Sequence, residues 1–326
     1  MEGFTRRAAL QRGFGGVALV CSFNFDKLRT ARTSASARAA AASLFEPFQR
    51  DVPLIPLARP VARSKRREQY VLTMQPGTAE ILPGLQTPIL GYDGRFPGPT
   101  IRATRGRAVE VRQRNASGRE LNVHLHGGVT PPQFDGHPHD GIPDGTERLY
   151  KYPNVQRGAT LWYHDHAHGQ TAKTLFAGLA AFYVVEDPDE AELGLPQGEH
   201  DVPLMIQDRS FNADGSFRYR LDLDRGFRGD TILVNGAVAP RMRVERRLYR
   251  LRFLNASNAR AYALALGDNR PLTQIASDAG LLPKPVERTS LPLEPAERAD
   301  VVVDFRDFGI GSKVILHNTI GEATTQ

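Results

Sequence analysis

The chain has 326 residues, enough for two domains, and its 40% hydrophobic and 24% charged content is ordinary for a globular protein. Its net charge of +6 belongs to residues 1–42, which hold seven basic and two acidic residues and leave 35 basic against 34 acidic elsewhere. That distribution excludes a nucleic-acid-binding face, and a single cysteine, Cys21, excludes a disulfide framework.

Along the chain, Arg6-Arg7 precedes a modest apolar stretch at 13–25 and small-residue sites such as Ala35-Ser-Ala37. Residues 1–42 are therefore expected to be a twin-arginine-type export signal, placing the protein in the periplasm or outside the cell. The stretch is too short for stable membrane insertion. Cleavage near residue 40 would leave no thiol. Residues 43–68 mix Pro and Arg with short apolar pieces and read as a linker that wraps the surface.

Strand-like segments follow at 70–75, 87–92, 100–103, 108–113, 121–125, 160–163 and 179–186, separated by turns such as Asp93-Gly94. A second run lies at 202–208, 217–219, 231–234, 248–255, 261–266, 273–276, 300–304 and 314–317. The expectation is an all-β chain of two sandwiches, 69–188 and 189–326, the second antiparallel and short of its final strand. Asn115-Ala-Ser117 and Asn255-Ala-Ser257 fit the glycosylation pattern but are expected to stay bare.

The segments at 121–125 and 160–163 lead into the chemistry: His124-Leu-His126 and His164-Asp-His166. In an extended strand residues i and i+2 share a face, so each pair aims two imidazoles at one point. Imidazole suits zinc, copper, iron and nickel. A cysteine-based zinc site lacks its thiols, and a (β/α)₈ hydrolase lacks its helices. His137, His139 and His168 are additional; the Gly136–Asp140 stretch reads as a solvated loop beside the metal site. His200 and His317 stand alone and are not expected to bind metal.

The flanks are more specific. His124-Leu-His-Gly-Gly-Val-Thr-Pro131, Asp135-Gly136, Tyr152-Pro-Asn-Val-Gln-Arg-Gly158, Trp162-Tyr-His-Asp-His166, Ala177-Gly-Leu179, Asn212-Ala-Asp-Gly215, Arg252-Phe-Leu-Asn-Ala-Ser-Asn258 and Pro295-Ala-Glu-Arg298 occur in this order. Together they resemble the multicopper oxidases, in the branch of bacterial spore-coat laccases and bilirubin oxidases, over about residues 70–318. The resemblance implies tandem cupredoxin-like Greek-key sandwiches with copper as cofactor. It also implies O₂ and a small reducing substrate, phenolic or metallic, as reaction partners. His124 matches a type 2 copper ligand of the trinuclear cluster, and His126, His164 and His166 match type 3 ligands. Asp135 matches an acid that relays protons to reduced oxygen; a plain Asp-Gly turn is the alternative.

The sequence departs from that family in one respect. The His-X-X-His-X-His and His-Cys-His motifs of the family's third domain do not occur in these 326 residues, nor does the Cys-and-two-His set of a type 1 site, so a chain without that domain is the expectation. The expected reading is the N-terminal part of a multicopper oxidase, with half a trinuclear site and no catalytic competence alone. A copper-sequestering protein and a non-catalytic cupredoxin scaffold are the alternatives. An unpaired sheet edge, and aggregation or oligomerisation with it, is expected of the isolated chain, and a functional half-site would also need a partner supplying the missing ligands.

Overall fold

The computed structural model describes residues 17–22 and 47–320. They form two cupredoxin-like β-sandwiches. In the first, Arg67–Ala79 pairs with Thr87–Tyr92 and Ala108–Asn115, which in turn pairs with Glu147–Tyr152. Facing it is the sheet Ile101–Thr104, Ala180–Glu186, Ala159–His164, His124–His126. Alternation makes the layers stick: Tyr70, Leu72 and Met74 point into the core shared with Val109, Val111, Leu161 and Tyr163.

The second sandwich packs Asp201–Arg209, Leu248–Asn255 and Arg298–Asp304 over Tyr262–Leu266 and Lys313–Asn318. Its core holds Leu204, Leu251, Phe253, Leu264 and Val301. The pairing is not purely antiparallel. Asp201–Arg209 runs parallel to Leu248–Asn255, as Arg67–Ala79 does to Ala108–Asn115. Long Greek-key connections lay strands of different hairpins side by side. The expected strand at 217–219 is one bridge, Phe211 to Phe217. Phe217 instead joins Phe96 and Phe176 around the fully buried Arg209 guanidinium.

The apolar stretch read as the centre of an export signal is a strand of this sandwich. Val17–Ser22 lies between Arg241–Val244, antiparallel, and Lys313–Asn318, parallel. Val17 and Leu19 enter the second core. The edge expected to be unpaired is therefore covered, because a short run of Val, Ala and Leu satisfies a sheet slot as readily as a leader. Arg6-Arg7 and Ala35-Ser-Ala37 lie outside the described residues.

Residues 47–58 cross from the second sandwich to the first. Phe48 N–H donates to the Ala239 carbonyl at 2.9 Å and Ala58 N–H to that of Thr100 at 2.8 Å. Between the sandwiches lies an apolar seam of Ile55, Trp162, Phe182, Met205 and Leu254. Among the described residues no helix is long and apolar enough to cross a membrane.

Candidate metal centre

Register builds the site. His124–His126 pairs antiparallel with Ala159–His164, setting His124 opposite His164, Leu125 opposite Tyr163 and His126 opposite Trp162. Leu125 and Tyr163 point into the first core. Their neighbours must then leave by the other face, so His124, His126, Trp162 and His164 share one patch. The strand ends at His164, and His166 joins from the next turn.

Ring centroids lie 5.6 Å apart for His124 and His126, 5.5 Å for His124 and His164, and 5.3 Å for His124 and His166. The distance is 5.6 Å for His126 with His164 and for His164 with His166. The ligand atoms of His124, His126 and His164 fall within 4.8 Å of one another; His166 stands at the margin of that group. Trp162 stacks on His164 at 4.2 Å and on His126 at 5.2 Å, closing the back of both rings.

Two carbonyls settle which nitrogens face the centre. His124 Nδ1–H donates to the Asp135 carbonyl at 2.6 Å and His164 Nδ1–H to that of Asp165 at 2.8 Å. The protons are then on Nδ1, and both Nε2 lone pairs are presented. His126 Nδ1 faces His164 Nε2 at 3.4 Å, and His166 Nδ1 is buried with no hydrogen-bond partner. Three imidazoles with ligand nitrogens within 4.8 Å of one another, and a fourth ring beside them, are what an ion with several nitrogen ligands uses. The residues fit copper.

Electrostatics agree. Burial, with the Arg298 charge and neighbouring imidazoles, pushes His126 down to about 4, and burial takes His164 well below its ordinary value. Both rings stay neutral, as ligation requires. Stability follows with a definite sign. The folded chain resists a proton at His126 that the unfolded chain accepts near 6.5, so this stabilisation is complete above pH 6.5. It is lost as pH falls through 4. The metal-free protein should melt at progressively lower temperature across that window, and His126→Asn should flatten the profile. A melting temperature independent of pH between 4 and 6.5 would contradict this.

Asp135 serves His124 through its main chain. Its carboxylate accepts from Thr130 Oγ1 at 3.1 Å and lies 3.6 Å from His124 Nδ1, with 44% of the side chain exposed. Gly136 permits the approach: at φ +80°, a Cβ there would sit 2.1 Å from the Val123 carbonyl oxygen and 2.8 Å from His124 Cα.

Asp165 was not among the expected site residues. It is fully buried, accepts the Asn122 N–H at 2.7 Å and the Thr174 hydroxyl, and offers its carbonyl to His164. Burial pushes its carboxyl upward against those hydrogen bonds. The signal was present, since the middle residue of His-Asp-His must face the core and a carboxylate there needs donors. His200 is not isolated either; its Nε2 lies 3.6 Å from Glu245.

Comparison with known proteins gives the family. The Multicopper oxidase family profile matches residues 73–190. The chain is 39% identical over 319 residues to a laccase of Bacillus subtilis (strain 168), covering 85% of this chain and 62% of that protein. It is 35% identical over 268 residues to the cell division protein FtsP of Escherichia coli (strain K12), covering 82% of this chain and 56% of that one. The laccase of Pediococcus acidilactici Pa5930 superposes with a TM-score of 0.75 at 31% identity, covering 92% of this chain and 67% of that structure. The chain thus spans about three-fifths of the length of these two curated relatives. Carrying these strands, this core and a cluster of four imidazoles fit for copper, the chain belongs to the multicopper oxidase family.

Proposed function

We propose that His124, His126, His164 and His166 hold copper as one half of a trinuclear centre in a laccase-like oxidase, which couples oxidation of a phenolic or metal-ion substrate to reduction of O₂ to water. The observation that carries this is the convergence of imidazole nitrogens, with His166 Nδ1 buried and unpartnered. Bound copper supplies the one-electron redox chemistry; the residues here bind and orient it. Trp162 keeps water from the backs of His126 and His164. Asp135, half-exposed beside His124, holds and passes a proton between solvent and the centre.

The remaining ligands, and the thiolate site where substrate electrons enter, come from polypeptide other than residues 23–326, which contain no cysteine. A copper-sequestering role is the second reading, favoured by that same lack of a thiolate. The scaffold reading has no use for four convergent imidazoles. We place the protein in the periplasm or outside the cell. Export through a removable leader over 1–42 requires Val17–Ser22 to leave the second sandwich.

Copper stoichiometry, an absorption spectrum and oxygen consumption with a phenol test the reading. One or two copper ions held by the four-imidazole cluster, without an intense blue band and without turnover, are expected of the isolated chain. Turnover on adding the missing ligand-bearing segment separates the oxidase from the sequestering protein. A chain that binds no copper would sink both.

A further inference from the structure

Three of the five histidines outside the cluster are brought to one place by the fold. His137 and His139 sit in the turn at 137–140, His168 lies on the loop after His166, and all three are exposed. The rings of His139 and His168 stack at 4.6 Å, and those of His137 and His139 lie 5.7 Å apart.

The backbone beneath them is tied down. Asp140 N–H donates to the His137 carbonyl at 2.8 Å, closing the turn, and His168 N–H donates to the Pro138 carbonyl at 3.2 Å, joining the two loops. The amide of Asn122, a fully buried residue, donates to the carbonyls of His137 and Asp140. Arg148 donates to the Asp140 carbonyl at 2.9 Å. Asn122 lies two residues before His124, so the trio is anchored to the strand that carries the main centre.

Their ring nitrogens have little else to do. Among the described residues, the one ring hydrogen bond of the trio is His137 Nδ1 accepting the His139 N–H at 3.4 Å. Exposed imidazoles on a fixed backbone, free of carboxylates, are ligands for divalent first-row ions, and copper(II) heads the affinity order for nitrogen sites. We infer that His137, His139 and His168 form a second copper(II) site on the rim of the four-imidazole cluster. The rings stack rather than converge as placed, and the ion turns them by exposed side-chain rotations that need no backbone movement. Water completes its coordination, so this ion exchanges with chelators faster than copper in the half-buried cluster.

This inference does not depend on the proposed oxidase function, and its test keeps the two apart. The full chain is titrated with copper(II) alone, followed by equilibrium dialysis and electron paramagnetic resonance, and then challenged with a chelator. The variant His137→Ala/His139→Ala/His168→Ala should lose one equivalent, the fast-exchanging one, together with its resonance signal. The variant His124→Ala/His126→Ala/His164→Ala/His166→Ala should keep that equivalent. All three rim residues are exposed, so the triple variant folds, and its comparison with the parent decides alone should the buried variant misfold. An unchanged stoichiometry in the triple variant overturns the site. Loss of the same equivalent in a folded quadruple variant overturns its independence.

Discussion

Replacing His124 and His164 together by alanine is expected to abolish tight copper binding by the cluster and the thermal stabilisation that goes with it. The two residues face each other across the strand pair, and both present Nε2. Removing them leaves His126 and His166, each of which packed against both missing rings. An ion bound only by the folded state stabilises it by mass action, about 4 kcal/mol at a thousandfold excess over Kd. For a chain of this size that is a rise in Tm on the order of 10 °C in the parent. The double variant should lose most of that rise and keep only what the weaker ion at His137, His139 and His168 gives, and differential scanning calorimetry with and without copper reads the difference. His164 is buried, so the metal-free variant also loses packing against Trp162 and starts from a lower Tm. The same copper-induced rise in both proteins would mean that the stabilising ion binds elsewhere.

Asp300→Ala should be the most destabilising single change outside the cluster, at about 3–5 kcal/mol, because it strands buried positive charge. Asp300 accepts from Arg250 Nη2 at 2.7 Å, Arg252 Nη1 at 2.9 Å and Thr160 Oγ1 at 2.7 Å. Arg252 also donates to Asp201 at 2.6 and 3.0 Å. Burial opposes the charge on Arg252, but the Asp300 and Asp201 carboxylates hold it firmly protonated. Burial likewise pushes Asp201 up, and the Arg252, Arg102 and Arg250 charges more than reverse it. Thr160 belongs to the first sandwich and the other members, Arg102 aside, to the second, so the network pins one to the other. Asp300→Asn, which keeps an acceptor and loses the charge, should fall between parent and alanine. Urea unfolding gives the size. A loss below about 1 kcal/mol for Asp300→Ala would mean that the arginines find water or another acceptor, as surface pairs do.

Much of this was legible in the order of residues. The His-X-His pairs announced their geometry because alternation is a local property with period two. The flanking Leu125 and Tyr163 also told which face had to be the core. Other features were visible but ambiguous. Asn115-Ala-Ser117 and Asn255-Ala-Ser257 match a glycosylation pattern, yet both asparagines are buried. Each accepts the Ser N–H two residues on and donates to two carbonyls, one a few residues further along (Arg119, Arg260) and one on a distant segment (Ile142, Leu293). Each closes the same strand end in its own domain, at Ala108–Asn115 and at Leu248–Asn255. The likeness of the two sandwiches is written in those three letters, while the rest of the two sequences has diverged around them.

The sequence by itself determined that the chain is all-β, that it carries two pairs of convergent imidazoles, and that no thiolate accompanies them after residue 22. Those are matters of local period and composition. Only the tertiary structure decided that Val17–Ser22 fills a slot between Arg241–Val244 and Lys313–Asn318, that Asp165 holds His164, and that His168 lies over His139. The physical reason is the same in all three. A strand's own residues state that it wants partners on both edges, a buried carboxylate that it needs donors, and an exposed imidazole that it has a lone pair. Which group answers is settled by long-range packing, where distant segments compete for one position and the best burial wins.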